Sequence, residues 1–280
     1  MPPSDDEMSA SVTGTFIAAL TFFTRIPRPP WSEFREGDDR HAAAMAPYVG
    51  ILVGLGCASV ALATASALPP LLAALLAMAF VTWLTGALHE DGLADFADGF
   101  GLMRSRERTL AIMRDPNTGV FAVLSLVFAV SIKVSALAAL ISVSSAAQLC
   151  GYLITVHALS RLVAIAFMAV MDYARADDAN ARGARLSNRL GGRWMVLAAV
   201  GGLAPLAALA VLNDLRFGLL AVAALVLFLL LKRWFHIRLQ GYTGDCLGAA
   251  QQLCELLLLI GLVAIAGALR SARSRHSPIT

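Results

Sequence analysis

Val120-Phe-Ala-Val-Leu-Ser-Leu-Val-Phe-Ala-Val-Ser-Ile-Lys133-Val-Ser-Ala-Leu-Ala-Ala-Leu140 carries one charge in 21 residues. A helix needs about 20 predominantly apolar residues to cross a bilayer, so this stretch reads as a spanning helix and decides the fold class. Six further runs read the same way: Tyr48–Ala65, Leu71–Leu88, Gln148–Met171, Met195–Leu212, Gly218–Leu231 and Leu253–Leu269. Composition agrees, because 58% of the 280 residues are hydrophobic and 15% are charged, against about 45–50% and about 25% in soluble domains. The expected fold is all-α, a polytopic transmembrane bundle of about seven spanning helices. Phe16–Phe23 is apolar too, but Arg25 and Pro27 halt it at about half the spanning length, which suits a re-entrant or interfacial helix. One integral membrane domain at 14–270 is expected between polar segments at 1–13 and 271–280.

The basic residues sort by connection. Arg25–Arg40, Arg104–Arg114, Arg175–Arg193 and Lys232–Arg238 are rich in them, Pro69–Pro70 and Ser142–Ala147 have none, and Asn213–Arg216 holds one. Short basic loops stay on the cytoplasmic side, so these four are expected there. Arg270, Arg273 and Arg275 resist this topology: either the last helix fails to cross or the opening helix does cross. Bases are interleaved with acids along the loops, so the extended basic surface of a nucleic-acid binder is absent. The four cysteines lack the short paired spacing of a zinc or redox motif.

The second run ends in His89-Glu90-Asp91-Gly92-Leu93-Ala94-Asp95-Phe96-Ala97-Asp98-Gly99. At about 100° per helical residue, Asp91 and Asp95 differ by roughly 40° and Asp91 and Asp98 by roughly 20°, so all three share a face. Stacked carboxylates repel one another, and at a membrane edge they call for a cation. Magnesium takes oxygen ligands and is held by one or two carboxylates plus substrate phosphates, whereas zinc would want a His/Cys set. Asp91, Asp95 and Asp98 are the expected ligands, and Glu90 is either a supplementary ligand or a bystander. Arg104, Arg108 and Arg114 follow in the same loop, with Asp115 beside them. Arginine forks clamp phosphate oxygens, so Arg25, Arg104, Arg108 and Arg114 are candidates for substrate binding, with orientation of the loops as the bland alternative. The pattern suits metal-assisted transfer of a phosphoryl-type group, in which Asp98 or Asp115 takes the acceptor's proton.

Lys133 and Arg161 lie inside predicted spans, where a charge costs at least about 2.5–3.5 kcal/mol. Both are expected to face inward, towards the acids or the substrate's phosphates. His157 stays unassigned. Thr243-Gly244-Asp245 before the last run resembles a helix cap, Asp245 is either that cap or a site group, or both, and Gln251, Gln252 and Glu255 stand at the mouth of that run. Asp172 through Arg185 either covers the site or faces solvent.

Phe23-Thr24-Arg25-Ile26-Pro27, the acidic stretch His89–Gly99, Ile112-Met113-Arg114-Asp115 and Thr243 through Ala249, taken in order, resemble the cobalamin-5′-phosphate synthase (adenosylcobinamide-GDP ribazoletransferase) family. Each motif alone is weak; their order along nearly the whole chain is specific. The resemblance implies a magnesium-dependent membrane transferase that joins adenosylcobinamide-GDP to α-ribazole, or its 5′-phosphate, with release of GMP. It also implies association with other enzymes of cobalamin biosynthesis. A CDP-alcohol phosphatidyltransferase would want Ala-Arg where this chain has Asp95-Phe96, and a transporter would want paired inverted halves, which are not evident.

Overall fold

The computed structural model describes residues 11–32, 38, 41–102, 104–175, 190 and 192–276. Residues 1–10 of the polar segment expected at 1–13, residues 277–280 of the one expected at 271–280, and most of the 172–185 loop lie outside the described residues. Among the described residues ten α-helices follow in order: α1 Val12–Phe23, α2 Ala46–Ala65, α3 Pro70–Thr85, α4 Leu88–Phe100, α5 Arg106–Ile112, α6 Val120–Val143, α7 Ala146–Val170, α8 Gly192–Leu212, α9 Leu219–Leu239 and α10 Gly244–His276. Short 3-10 turns, Ala42–Met45 and Leu215–Gly218, lead into α2 and α9. Among the described residues the only strand-like pairing is a parallel bridge between Tyr173 and Tyr242.

Among the described residues six stretches are long and apolar enough to cross a membrane: Ala42–Ala65, Val120–Val143, Ala146–Val170, Gly192–Leu212, Leu215–Leu239 and Gly244–Ser271. The chain is thus a multi-pass helical membrane protein. A seventh crossing requires α3, which has 16 residues and is bent by 89° from α4. The expected straight run through Leu88 is therefore broken. Gly86 and Ala87 both adopt left-handed backbone, with φ of 66° and 57°, and two such residues in a row end one helix and re-aim the next. Ala87 pays for its side chain here, since left-handed geometry costs a non-glycine residue about 1–2 kcal/mol. The bend is anchored by the amide of Arg25, which donates to the Leu84 carbonyl at 2.8 Å.

Contacts between the connections sort the helix ends into two groups. Arg106 Nε donates to the Leu239 carbonyl and its Nη2 to the Ala174 carbonyl, each at 2.8 Å; Asp98 meets Gly119, and Tyr242 meets Asp172. At the other end Ser142, Gln148, Tyr152, Leu269 and Arg270 surround a smaller hollow. All of the acidic motif lies at the first end.

α7 is the core. Of its spanning window 78% is buried, against 22–39% for the other five, because α2, α8 and α10 pack around it. A side chain on Gly50 would place Cβ 2.3 Å from the His157 carbonyl oxygen, and one on Gly54 would reach 2.6 Å from that of Leu153. Bare glycines let α2 touch the α7 backbone, the small-residue contact that holds helices together where lipid is as apolar as leucine.

Polar residues on α6, α7 and α10 meet inside this apolar frame. Glu255 binds Lys133 Nζ at 2.6 Å and His157 Nδ1 at 2.7 Å, and Arg161 Nη1 lies 3.7 Å from it. Gln252 accepts from Lys133, and Gln251 donates to Ser160 at 3.2 Å. The last helix was expected to start near Leu253, with Gln251, Gln252 and Glu255 at its mouth; it starts at Gly244 instead, so these three lie buried within it. Their partners are side chains, which is how such groups survive at depth. Lys133 is inward-facing as expected, but its partner is Glu255 rather than the aspartates of α4.

Two predictions follow from packing and charge. Gly54→Val should lower stability in detergent by about 1–3 kcal/mol through overpacking, whereas Gly267→Ala, where nothing lies within 4 Å, should be neutral or gain up to about 1 kcal/mol; thermal unfolding of both checks this. Glu255→Gln leaves Lys133 and Arg161 without their shared counter-ion and should cost about 3–5 kcal/mol, against no more than about 1 kcal/mol for breaking the surface pair Arg216–Asp214.

Candidate active site

α4 crosses α10 at Gly92 and Gly248. A Cβ on either would lie 3.1 Å from the other's Cα, so the two helices touch through bare backbone. This contact sets the first turns of α4, with Asp91 and Asp95, beside the first turn of α10, with Asp245. Thr243 is the cap of α10: its Oγ1 accepts from the Cys246 amide at 3.3 Å. Asp245 is thereby left to face outward, one position inside the helix, where the N-terminal dipole favours a carboxylate. Arg175 Nη2 reaches Asp245 Oδ2 at 3.1 Å. The Tyr173–Tyr242 bridge holds it there, through the Tyr242 amide to Asp172 and the Ala174 amide to Tyr242.

Asp91 is exposed and Asp95 half-buried. Asp95 feels the like charges of Asp245, Asp91 and Asp98, opposed by Arg175. Asp98 departs from expectation. Its two oxygens accept from the amides of Gly119 at 2.6 Å and Ala122 at 2.9 Å, so it caps the N-terminus of α6. The three aspartates do share one helix, but its second end meets a different partner, and Asp98 is the carboxylate that two amides already satisfy. Glu90 also turns elsewhere: it acts on Arg161 through space, and its Oε2 is buried with no hydrogen-bond partner.

The loop residues stand apart from this group. Asp115 is exposed in a turn, and the Asn117 amide and side chain on its Oδ1 hold its carboxyl below the usual range. Arg25, Arg104, Arg108 and Arg114 are exposed at the same end of the bundle, and none of them lines the large cavity beside Asp91. Two other arginines hold the loop: Arg106, already described, and Arg238, which donates to the Leu102 carbonyl at 2.8 Å and lies over the Phe100 ring.

That cavity, of about 780 Å³, lies among α1, the 3-10 turn before α2, α4, α7 and α10. Its size falls within the range of small-molecule sites, about 300–1,000 Å³. Phe23, Ile165 and Met168 form apolar wall, and Asp91, Gly244, Asp245 and Arg161 bring polarity to it. His89 lines it too, stacked on Phe23 with centroids 6.1 Å apart. Sequence reasoning missed Arg28, Tyr173 and Tyr242, which line the cavity, and Arg175, which pairs with Asp245. Arg28 stands three residues from the chosen Arg25, and Arg175 opens a loop whose role was left undecided. No pattern in either separates a site residue from a topogenic one.

The chemistry of the donors fits a hard divalent ion. Asp91, Asp95 and Asp245 bring three negative charges together and Arg175 answers one of them. Among the described residues no three His, Cys, Asp or Glu side chains close around one point. An open, oxygen-only set matches magnesium, which keeps waters and takes substrate phosphates as ligands.

Residues 15–263 match the protein family described as cobalamin-5-phosphate synthase. The adenosylcobinamide-GDP ribazoletransferase of Leptothrix cholodnii is 40% identical over 258 residues, covering 89% of this chain and 94% of that protein. The transferase of the same name from Ralstonia nicotianae is 39% identical over 252 residues, with 88% and 93% covered. That of Vibrio parahaemolyticus is 32% identical over 249 residues, with 89% and 91% covered. No solved structure matches. With most of its length matched, and with the acidic helix and the Thr-Gly-Asp turn brought together in one site, the chain belongs to the cobalamin-5-phosphate synthase family.

Proposed function

We propose that this chain is a membrane-embedded adenosylcobinamide-GDP ribazoletransferase, which joins the cobinamide phosphate to a ribazole hydroxyl and releases GMP. The observation that carries the reading is the meeting of Asp91 and Asp95 on α4 with Asp245 on α10 beside a cavity large enough for a nucleoside. Family membership narrows the chemistry to transfer from a diphosphate.

Asp91 and Asp245 line the cavity and are the residues that would hold magnesium. The ion, when bound, neutralises charge on the diphosphate and on the departing phosphate oxygen. Arg175 fixes Asp245 through their ion pair and offers its remaining donors to a phosphate oxygen. Asp95, half-buried among the other carboxylates, takes the acceptor's proton. The hydroxyl oxygen bonds to the phosphorus next to cobinamide as the bond from that phosphorus to the bridging oxygen breaks. Apolar walls exclude water from the acceptor, and positioning supplies much of the rate. Asp98 supports this geometry from outside, by fixing α6 against α4.

The active end carries Arg25, Arg28, Arg104, Arg106, Arg108, Arg114, Arg175 and Arg238, while Arg216 and Arg270 stand at the opposite end. The positive-inside rule assigns the active end to the cytoplasm, in keeping with a bacterial inner membrane and a water-soluble nucleotide product.

The purified protein should release GMP from adenosylcobinamide-GDP and ribazole only when magnesium is present. Asp91→Asn should remove activity by at least about a hundredfold while the protein still inserts. Asp98→Asn should instead lower stability by about 1 kcal/mol and retain most turnover at low temperature. Full activity in Asp91→Asn, or none in the wild type, would overturn the reading.

A further inference from the structure

Arg161 is 1% exposed and stands in the middle of α7. Its Nη1 donates to the His157 carbonyl at 2.9 Å and lies 3.7 Å from Glu255. Its Nε has no hydrogen-bond partner, so one side of a planar fork built for bidentate oxyanions is unused. The neighbouring carboxylates offer it charge without filling this edge of the fork. Glu255 is engaged at 2.6 Å by Lys133 and at 2.7 Å by His157, and Glu90 acts only through space. His89 adds no negative charge. Arg161 nevertheless forms part of the wall of the large cavity that Asp91 also lines. A buried cation with a free donor edge, beside a cavity, is a site for an anion that arrives from the cavity.

We propose that Arg161 binds the 5′-phosphate of the acceptor, and so selects the phosphorylated ribazole over the free nucleoside. The inference rests on the function proposed above and assigns the second anionic group of the reaction. The donor's diphosphate belongs with Asp91, Asp245 and Arg175 at the ends of α4 and α10. Arg161 lies nine residues before the C-terminal end of α7, about 14 Å deeper at 1.5 Å per residue. The acceptor has a planar apolar base, which suits the Phe23, Ile165 and Met168 walls, and a phosphate that needs a cation beyond them. A free hydroxyl in its place leaves Arg161 uncompensated. The family is described by a 5-phosphate product and the relatives are named for transfer of ribazole, so both forms of the acceptor belong in the test.

The test compares α-ribazole with α-ribazole 5′-phosphate as acceptors at saturating donor, in the wild type, Arg161→Gln and Arg161→Lys. The wild type should prefer the phosphorylated acceptor. Arg161→Gln should lower that preference in kcat/KM by about ten- to a hundredfold, with KM for the donor unchanged, and Arg161→Lys, which keeps charge without the fork, should fall between. Inorganic phosphate should raise the unfolding temperature of the wild type more than that of Arg161→Lys. Equal losses for both acceptors, or a raised donor KM, would assign Arg161 to structure or to the diphosphate and overturn the proposal. Wild-type turnover without preference would sink it while leaving the function intact. No turnover with either acceptor would sink the function; a phosphate response equal in wild type and Arg161→Lys would then remove the anion site as well. Should Arg161→Gln fail to fold, Arg161→Lys alone decides.

Discussion

Two helices can come into backbone contact only where neither carries a side chain, and the site depends on one such place. Gly92 on α4 meets Gly248 on α10. Residues that are 156 positions apart in the chain by subtraction of those numbers are thereby brought together, and the aspartates flanking them follow. A methyl group on either glycine would push against backbone, which cannot swing aside as a side chain can. The kink at Gly86 and Ala87 makes the crossing possible, because it turns α4 by 89° from α3 and lays it across the end of the bundle. The bend and the contact act as one device: the bend aims the carboxylates, and the contact fixes their distance from Asp245.

Two kinds of charged cluster coexist in the bundle and are balanced differently. The deep one gathers Lys133, His157 and Arg161 around Glu255, with Glu90 acting on Arg161 through space. The one at the helix ends, Asp91, Asp95 and Asp245 with Arg175, has carboxylates in excess. The excess at the helix ends would not persist in an apolar medium without something to answer it.

Much of the class was legible in the sequence, because a bilayer leaves a coarse signature: long uncharged runs, with arginines gathered in alternate connections. The acidic helix was legible for a related reason, since spacings of four and three put Asp91, Asp95 and Asp98 on one helix face. What escaped was the partner each acid meets. Asp98 looks like its neighbours in sequence, yet the amides of Gly119 and Ala122 claim it, and nothing local announces a cap supplied from another helix. The start of α10 escaped for the same reason. Gln251, Gln252 and Glu255 read as a polar mouth, and only Lys133, His157 and Arg161, far away in the chain, turn them into an interior. The isolated pairing of Tyr173 with Tyr242, which delivers Arg175, has no pattern at all.

The deep cluster also bears on how the protein is made. Lys133 and Glu255 are 122 residues apart, and His157 and Glu255 are 98 apart. Chains grow from the N-terminus, so α6 and α7 enter the bilayer while Glu255, the carboxylate that Lys133 and His157 both bind, has yet to be synthesised. Until α10 arrives, two cations stand at a depth that disfavours each by at least about 2.5–3.5 kcal/mol. They must reach towards an interface in the meantime. The closing helix is thus what turns an unstable intermediate into a settled membrane protein, and a chain cut short before Glu255 would lack the group that keeps its centre in place.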